Sequence, residues 1–95
     1  MARKTYSFDL FCCDVKITSF PIYMRGYKSG VQDYNSARSL AFDYARELSK
    51  DNVFVDLKFG NLILAQFFKG RCFSAYPERY EEVENFLGVD YSISI

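Results

Sequence analysis

The stretch Val53-Phe54-Val55-Asp56-Leu57-Lys58-Phe59-Gly60-Asn61-Leu62-Ile63-Leu64-Ala65-Gln66-Phe67-Phe68 decides the fold. Val53, Val55, Leu57 and Phe59 share one face and Asp56 and Lys58 the other, the two-residue period of a half-buried strand. Gly60-Asn61 is a two-residue hairpin signal, because Gly adopts positive φ without steric cost and Asn does so better than most residues. Leu62 to Phe68 then returns apolar on both faces, as a central strand covered twice would be. Lys69-Gly70 turns the chain again, and Arg71 to Ala75 reads as a third strand of the meander.

Upstream, Tyr6, Phe8, Leu10 and Cys12 alternate with Ser7, Asp9 and Phe11. Val15 to Phe20 alternates again and is β-branched, so the pair reads as a hairpin broken at Cys13-Asp14. Pro21 ends the second strand or marks it as an edge strand. Residues 25–35 carry two glycines with Ser, Asp and Asn and read as a loop. From about Ser36 to Lys50 a helix is expected, with Ala37, Leu40, Ala41, Tyr44, Ala45 and Leu48 as its apolar stripe. Asn35 or Ser36 would cap its start, and Asn52 would take the left-handed conformation beyond its end.

Downstream of the meander, Pro77 suits the first position of a second helix, and Glu78, Glu81 and Glu82 suit its positive end. Tyr80, Val83 and Leu87 mark its buried side, and Gly88 stands where a terminating glycine belongs. Val89 to Ile95 alternates as a final strand. The chain therefore reads as a single α+β domain spanning residues 1–95, an antiparallel sheet with two helices. Its order contains a ferredoxin-like β-α-β-β-α-β core preceded by an extra N-terminal strand. Two helices cover one face of such a sheet, and the other face must be solvated, paired or used.

Composition narrows the chemistry. Eighteen of the 95 residues are Phe or Tyr, and there is no His and no Trp. Without His, neither a Ser-His-Asp nor a Cys-His arrangement is available, and the commonest transition-metal ligand is missing. Glu78, Glu81, Glu82 and Glu84 read as a solvated helix face, and no Ca²⁺-loop pattern accompanies them. Gly26-Tyr27-Lys28-Ser29-Gly30 lacks the glycines of a phosphate-binding loop. The expectation is no enzyme, no metal and no cofactor.

Cys12, Cys13 and Cys72 are odd in number, two of them adjacent, with no Cys-x-x-Cys spacing; they read as small buried hydrophobes in a reducing compartment. No apolar run resembles a signal peptide or a membrane span, so a cytosolic protein is expected. The formal charge is zero, but residues 1–50 hold eight basic and five acidic side chains, and residues 51–95 four and seven. Neutrality argues against non-specific nucleic-acid binding, which needs a basic footprint.

Three constellations are candidates for contact. Tyr23, Arg25, Tyr27, Lys28 and Tyr34 place aromatic and basic groups in and around the loop before the first helix, and Tyr and Arg are favoured in binding hot spots. Lys69-Gly70-Arg71-Cys72-Phe73-Ser74-Ala75-Tyr76 resembles the aromatic motif of RNA-recognition domains at Lys69, Gly70, Phe73 and Tyr76, and departs from it at Arg71 and Ser74. That resemblance implies stacking by Phe73 beside Arg71; the plainer reading is a strand whose aromatics enter the core. Phe54, Phe67, Phe68 and Phe73 are too many aromatics for one face. Some line a second interface, with a partner or in a homodimer, unless the N-terminal hairpin folds over that face.

The leading expectation is a non-catalytic module that binds a larger protein or complex, as an inhibitor or adaptor. In kind such a short, motif-free chain resembles the small phage-encoded inhibitors of host machinery, anti-CRISPR proteins among them. The second expectation is a single-stranded nucleic-acid binder using Arg25, Tyr27, Lys28, Arg71 and Phe73.

Overall fold

Alternation in the first strand decides which side of the sheet is buried. In the computed structural model, which describes residues 6–23 and 31–89, β1 (Tyr6–Cys12) sends Phe8 and Leu10 fully into the core while Asp9 stays half-exposed on the other face. β2 (Val15–Ile22), α1 (Val31–Leu48), a short 3₁₀ turn (Ser49–Asp51), β3 (Val55–Phe59), β4 (Leu62–Phe68), β5 (Arg71–Ala75) and α2 (Pro77–Leu87) follow. The strands form one five-stranded sheet in the order β2-β1-β3-β4-β5, and every neighbouring pair is antiparallel.

The α+β class and the antiparallel sheet with two helices agree with the sequence, but the expected ferredoxin-like order is not the one these strands take. β1 is no appendage to the sheet. It lies between β2 and β3, antiparallel to both, so β2-α1-β3 is a split β-α-β unit with the preceding strand inserted into it. The Cys13-Asp14 turn pairs β1 with β2 locally, from Tyr6↔Ile22 to Cys12↔Val15, but the order is set by a long-range pairing in which β3 completes the other edge of β1 through Asp9↔Lys58, Leu10↔Leu57 and Phe11↔Asp56. The hairpin thus extends the sheet and does not fold over its second face. Of the expected final strand, Val89 packs against the core, and its remaining residues lie outside the described ones.

β4 is second from the edge, not central and twice covered. A bulge against β3 between Leu57 and Lys58 lets Leu64 and Ala65 both be buried, while Ile63 and Phe68 face the side without helices. This explains a run that looked apolar on both faces.

α1 begins at Val31, so residues 31–35, expected as loop, are helical, and Asn35 and Ser36 lie inside the helix instead of capping it. Its buried stripe is Tyr34, Ala37, Ala41 and Ala45. Leu40 and Tyr44, expected on that stripe, are 59% and 48% exposed, because the helix is rotated toward Phe42, whose ring meets Phe67 edge-on at 4.8 Å. Tyr44 is left at the flank over the edge strand, beside Phe20 at 5.6 Å. After Ser49–Asp51 the chain leaves through Asn52 in the left-handed conformation, as expected.

α2 buries Tyr80, Val83 and Leu87 and ends on Gly88 at φ 73°, with Gly88 N–H donating to Asn85 O and Val89 N–H to Glu84 O. This pair of hydrogen bonds needs the left-handed backbone at Gly88, which is why glycine suits that position. The two helices are clamped together: Tyr34 OH donates to Glu84 Oε2 at 2.8 Å, Arg38 lies 3.8 Å from the same carboxylate, and the Arg38 guanidinium sits 4.1 Å over the Tyr80 ring. Burial pushes the Tyr80 phenol above its usual pKa, and the nearby Arg38 charge opposes the shift. No helix among the described residues is long and apolar enough to cross a membrane.

The β1–β2 turn is the weakest local match of residue to backbone. Cys13 and Asp14 both have positive φ, 52° and 65°, as a two-residue hairpin of this hand demands. Neither is glycine, and the left-handed region costs an L-residue roughly 1–2 kcal/mol. Replacing the pair by Asn-Gly (C13N with D14G) is expected to stabilise the protein by about 1 kcal/mol. A denaturant midpoint that rises with an unchanged m-value would show it; a fall would mean the turn geometry is wrong.

Candidate functional site

Residues directly opposite one another in a sheet share a face, so the register maps the side that no helix covers. One row across it is Phe11, Asp56, Gln66 and Ser74; the next is Ser19, Asp9, Lys58 and Ile63. Most of this face is polar and satisfied internally. Asp9 Oδ1 accepts from Ser7 Oγ and Ser19 Oγ, both at 2.7 Å. Gln66 Nε2 donates to Asp56 Oδ1 at 3.2 Å, and Lys58 Nζ lies 4.5 Å from the Phe11 ring centre. Arg79 covers the Tyr76 ring at 4.0 Å and donates to Ile63 O at 2.8 Å.

One corner differs. Phe54, just before β3, stacks on Phe68 at 4.1 Å with the rings 12° from parallel, and Phe73 meets Phe54 edge-on at 5.9 Å. Phe54 is 57% exposed and Phe73 55%, so the cluster is not closed off. With Lys69 and Arg71 these rings line a groove of about 710 Å³, within the size range of ligand pockets. A smaller concavity of about 380 Å³ lies along α1 at Asn35, Arg38, Ser39, Phe42 and Asp43, with Phe42 as its one aromatic.

The corner is built by two backbone devices. A β-bulge in β5, opposite Gln66 and Phe67, inserts Phe73 as an unpaired residue and re-aims its side chain. The Lys69-Gly70 turn has φ 53° and 74°, and it is anchored from the far side: Gly70 N–H donates to the buried Ser49 Oγ at 3.0 Å, and Ser49 donates to Arg46 O at 2.9 Å. A Cβ on Gly70 would approach Lys50 Cγ to 3.1 Å in addition to the unfavourable φ. The end of α1 therefore fixes where Lys69 and Arg71 stand.

The residues singled out in the sequence do not converge. Tyr23 is exposed at the end of β2, and Arg71 and Phe73 lie on β5, the opposite edge. Four inter-strand spacings of about 4.8 Å put these edges roughly 19 Å apart. Tyr34, expected on a surface loop, is instead a fully buried helix residue that joins α1 to α2. Arg25, Tyr27 and Lys28 lie outside the described residues. Phe73, which the plainer reading sent to the core, is at the surface; Phe67 is the member of that set that is fully buried. Of the meander aromatics expected to line a second interface, Phe54, Phe68 and Phe73 gather at this corner, and Lys69, named as a candidate only within the RNA-recognition-like motif, joins them. The signal for Phe54 was its place one residue before a buried valine, on the outward phase of the strand.

Cys13 is exposed in its turn, and Cys12 and Cys72 are half-buried, all three as free thiols. Among the described residues no group of His, Cys, Asp or Glu is gathered in a way that would hold a metal ion. In comparisons with known proteins, no family model, no curated protein and no solved structure matches the chain.

Ser49 is the residue on which the corner's geometry hangs. Ser49→Ala removes the acceptor for a part-buried amide and is expected to cost about 0.5–1.5 kcal/mol. Its signature is loss of hydrogen-exchange protection at the Gly70 amide beyond the global change. Equal protection of that amide in both proteins would show that the turn does not depend on Ser49.

Proposed function

We propose that this chain is a non-catalytic protein-binding module, an inhibitor or adaptor that acts by occupying a larger partner, and that it docks through the aromatic corner of its open sheet face. The observation that carries this reading is the pair of half-exposed rings, Phe54 at the entry to β3 and Phe73 on β5, beside two cations. Rings of this kind offer large rigid area at low entropic cost, which is what a docking anchor needs. Absence of His supports a binding role over acid–base chemistry. Free thiols suit a reducing compartment such as the cytoplasm. In kind, the module is like the small phage-encoded inhibitors of host machinery.

A second reading, a single-stranded nucleic-acid binder, is favoured by one observation: Lys69 and Arg71 flank rings on which bases could stack. The carboxylates of Asp9 and Asp56 on the same face count against a phosphate path across it.

The two separate experimentally. Phe54→Ala and Phe73→Ala should each weaken capture of a partner from source-cell extract by tenfold or more, on the order of 2 kcal/mol for a hot-spot ring. Tyr23→Ala, at the opposite sheet edge, should leave capture unchanged. Both Phe variants should stay folded, since substitutions at exposed positions usually change stability by less than about 0.5 kcal/mol. Capture insensitive to both rings sinks the reading. Oligothymidylate binding that falls steeply with salt would select the nucleic-acid alternative.

A further inference from the structure

We infer that the groove at Phe54, Phe68 and Phe73 takes an acidic peptide segment of the partner, which inserts one aromatic side chain between the rings and sets carboxylates against Lys69 and Arg71. This rests on the protein-binding reading above and adds the chemistry of what is bound. The rings form an open right angle. Phe68 covers one face of Phe54, and Phe73 stands edge-on to it, 84° from parallel. A further ring entering that angle would gain the offset or edge-to-face contacts that aromatic pairs prefer.

Charge decides what flanks the inserted ring. Lys69 Nζ lies 5.5 Å from the Phe68 ring centre, and Arg71 is exposed; among the described residues neither forms an ion pair. The nearby Lys50 is already matched, 2.9 Å from Glu47. Asp56, two residues beyond Phe54 on the same face, is engaged by Gln66, whose Nε2 donates to it. The mouth of the groove is thus locally cationic on a chain of zero net charge, and it complements a short acidic segment. A nucleic-acid strand would need cations along its whole track, where this face carries Asp56 and Asp9 in successive rows.

The mode of docking follows from the same strand. β5 is an edge strand, and an edge invites strand addition, but the bulge at Phe73 breaks its regular ladder. The segment is therefore gripped by side chains at one anchor and not zipped along the strand.

The test uses the full chain and fluorescein-labelled peptides read by anisotropy. The probes are Glu-Asp-Phe-Asp-Glu, its alanine-centred form Glu-Asp-Ala-Asp-Glu, its charge-reversed form Lys-Lys-Phe-Lys-Lys, and a short oligothymidylate. The acidic Phe peptide should bind about tenfold tighter than either other peptide, as one ring and two rim charge pairs would give. Lys69→Glu combined with Arg71→Glu, folded by circular dichroism, should switch preference to the basic peptide. Equal binding of acidic and basic peptides, no binding of the acidic one, or tighter binding of oligothymidylate overturns the inference. Partner capture that depends on Phe73 but not on Lys69 and Arg71 would leave the protein-binding reading standing and remove this one alone.

Discussion

The fold depends on how closely α1 can lie against the sheet. Three alanines, Ala37, Ala41 and Ala45, face the strands at helical spacing and are buried to 5% exposure or less. Because they add so little thickness, the space beneath is filled from the sheet side by Phe8, Leu10, Leu57 and Phe67, each fully buried. Bulky residues at the alanine positions would lift the helix and open voids along the strands, and close-packed interiors tolerate neither overpacking nor gaps well. Tyr34 at one end of the seam and Phe42 beside it supply the large contacts that hold the helix in rotation, one through Glu84 on α2 and the other through Phe67 on β4.

One-sided burial has consequences on the other side. With both helices committed to a single face, the second face must be dressed with side chains that tolerate water. Most of it is, through the Ser7–Asp9–Ser19 and Asp56–Gln66 hydrogen bonds. The exception at Phe54, Phe68 and Phe73 is expensive to keep in water: each exposed ring forgoes much of the roughly 25 cal/mol per Å² that burial would return. A bulge that aims one of these rings and a buried serine that pins the adjoining turn are structural commitments to that same corner. Retained apolar exposure supported from behind in this way is the ground on which we propose the corner as a docking surface.

The strands and both helices were legible because their signals are local. Two-residue alternation in Tyr6–Cys12 and Val55–Phe59, Gly60-Asn61 between two strands, and Pro77 and Gly88 bracketing α2 each act within a few residues. The start of α1 was not legible. Asp33, Tyr34 and Asn35 look like turn residues, and packing of Tyr34 between the two helices overrides that preference. Likewise Leu40 and Tyr44 fit a stripe drawn at ideal spacing, but a small rotation about the helix axis, set by Phe42 on Phe67, moved them to the flank.

By itself, then, the sequence determined the class of fold, the identity of the elements and the supply of aromatics without histidine, since these follow from periodicity, turn chemistry and composition. The tertiary structure alone decided the strand order, with β1 inserted between β2 and β3, and which aromatics stay outside. Strand order is a choice among distant edges that the local pattern leaves nearly equivalent. Exposure of Phe73 follows from a register shift of one residue in β5. A one-residue slip exchanges inside for outside while leaving the composition of the strand untouched.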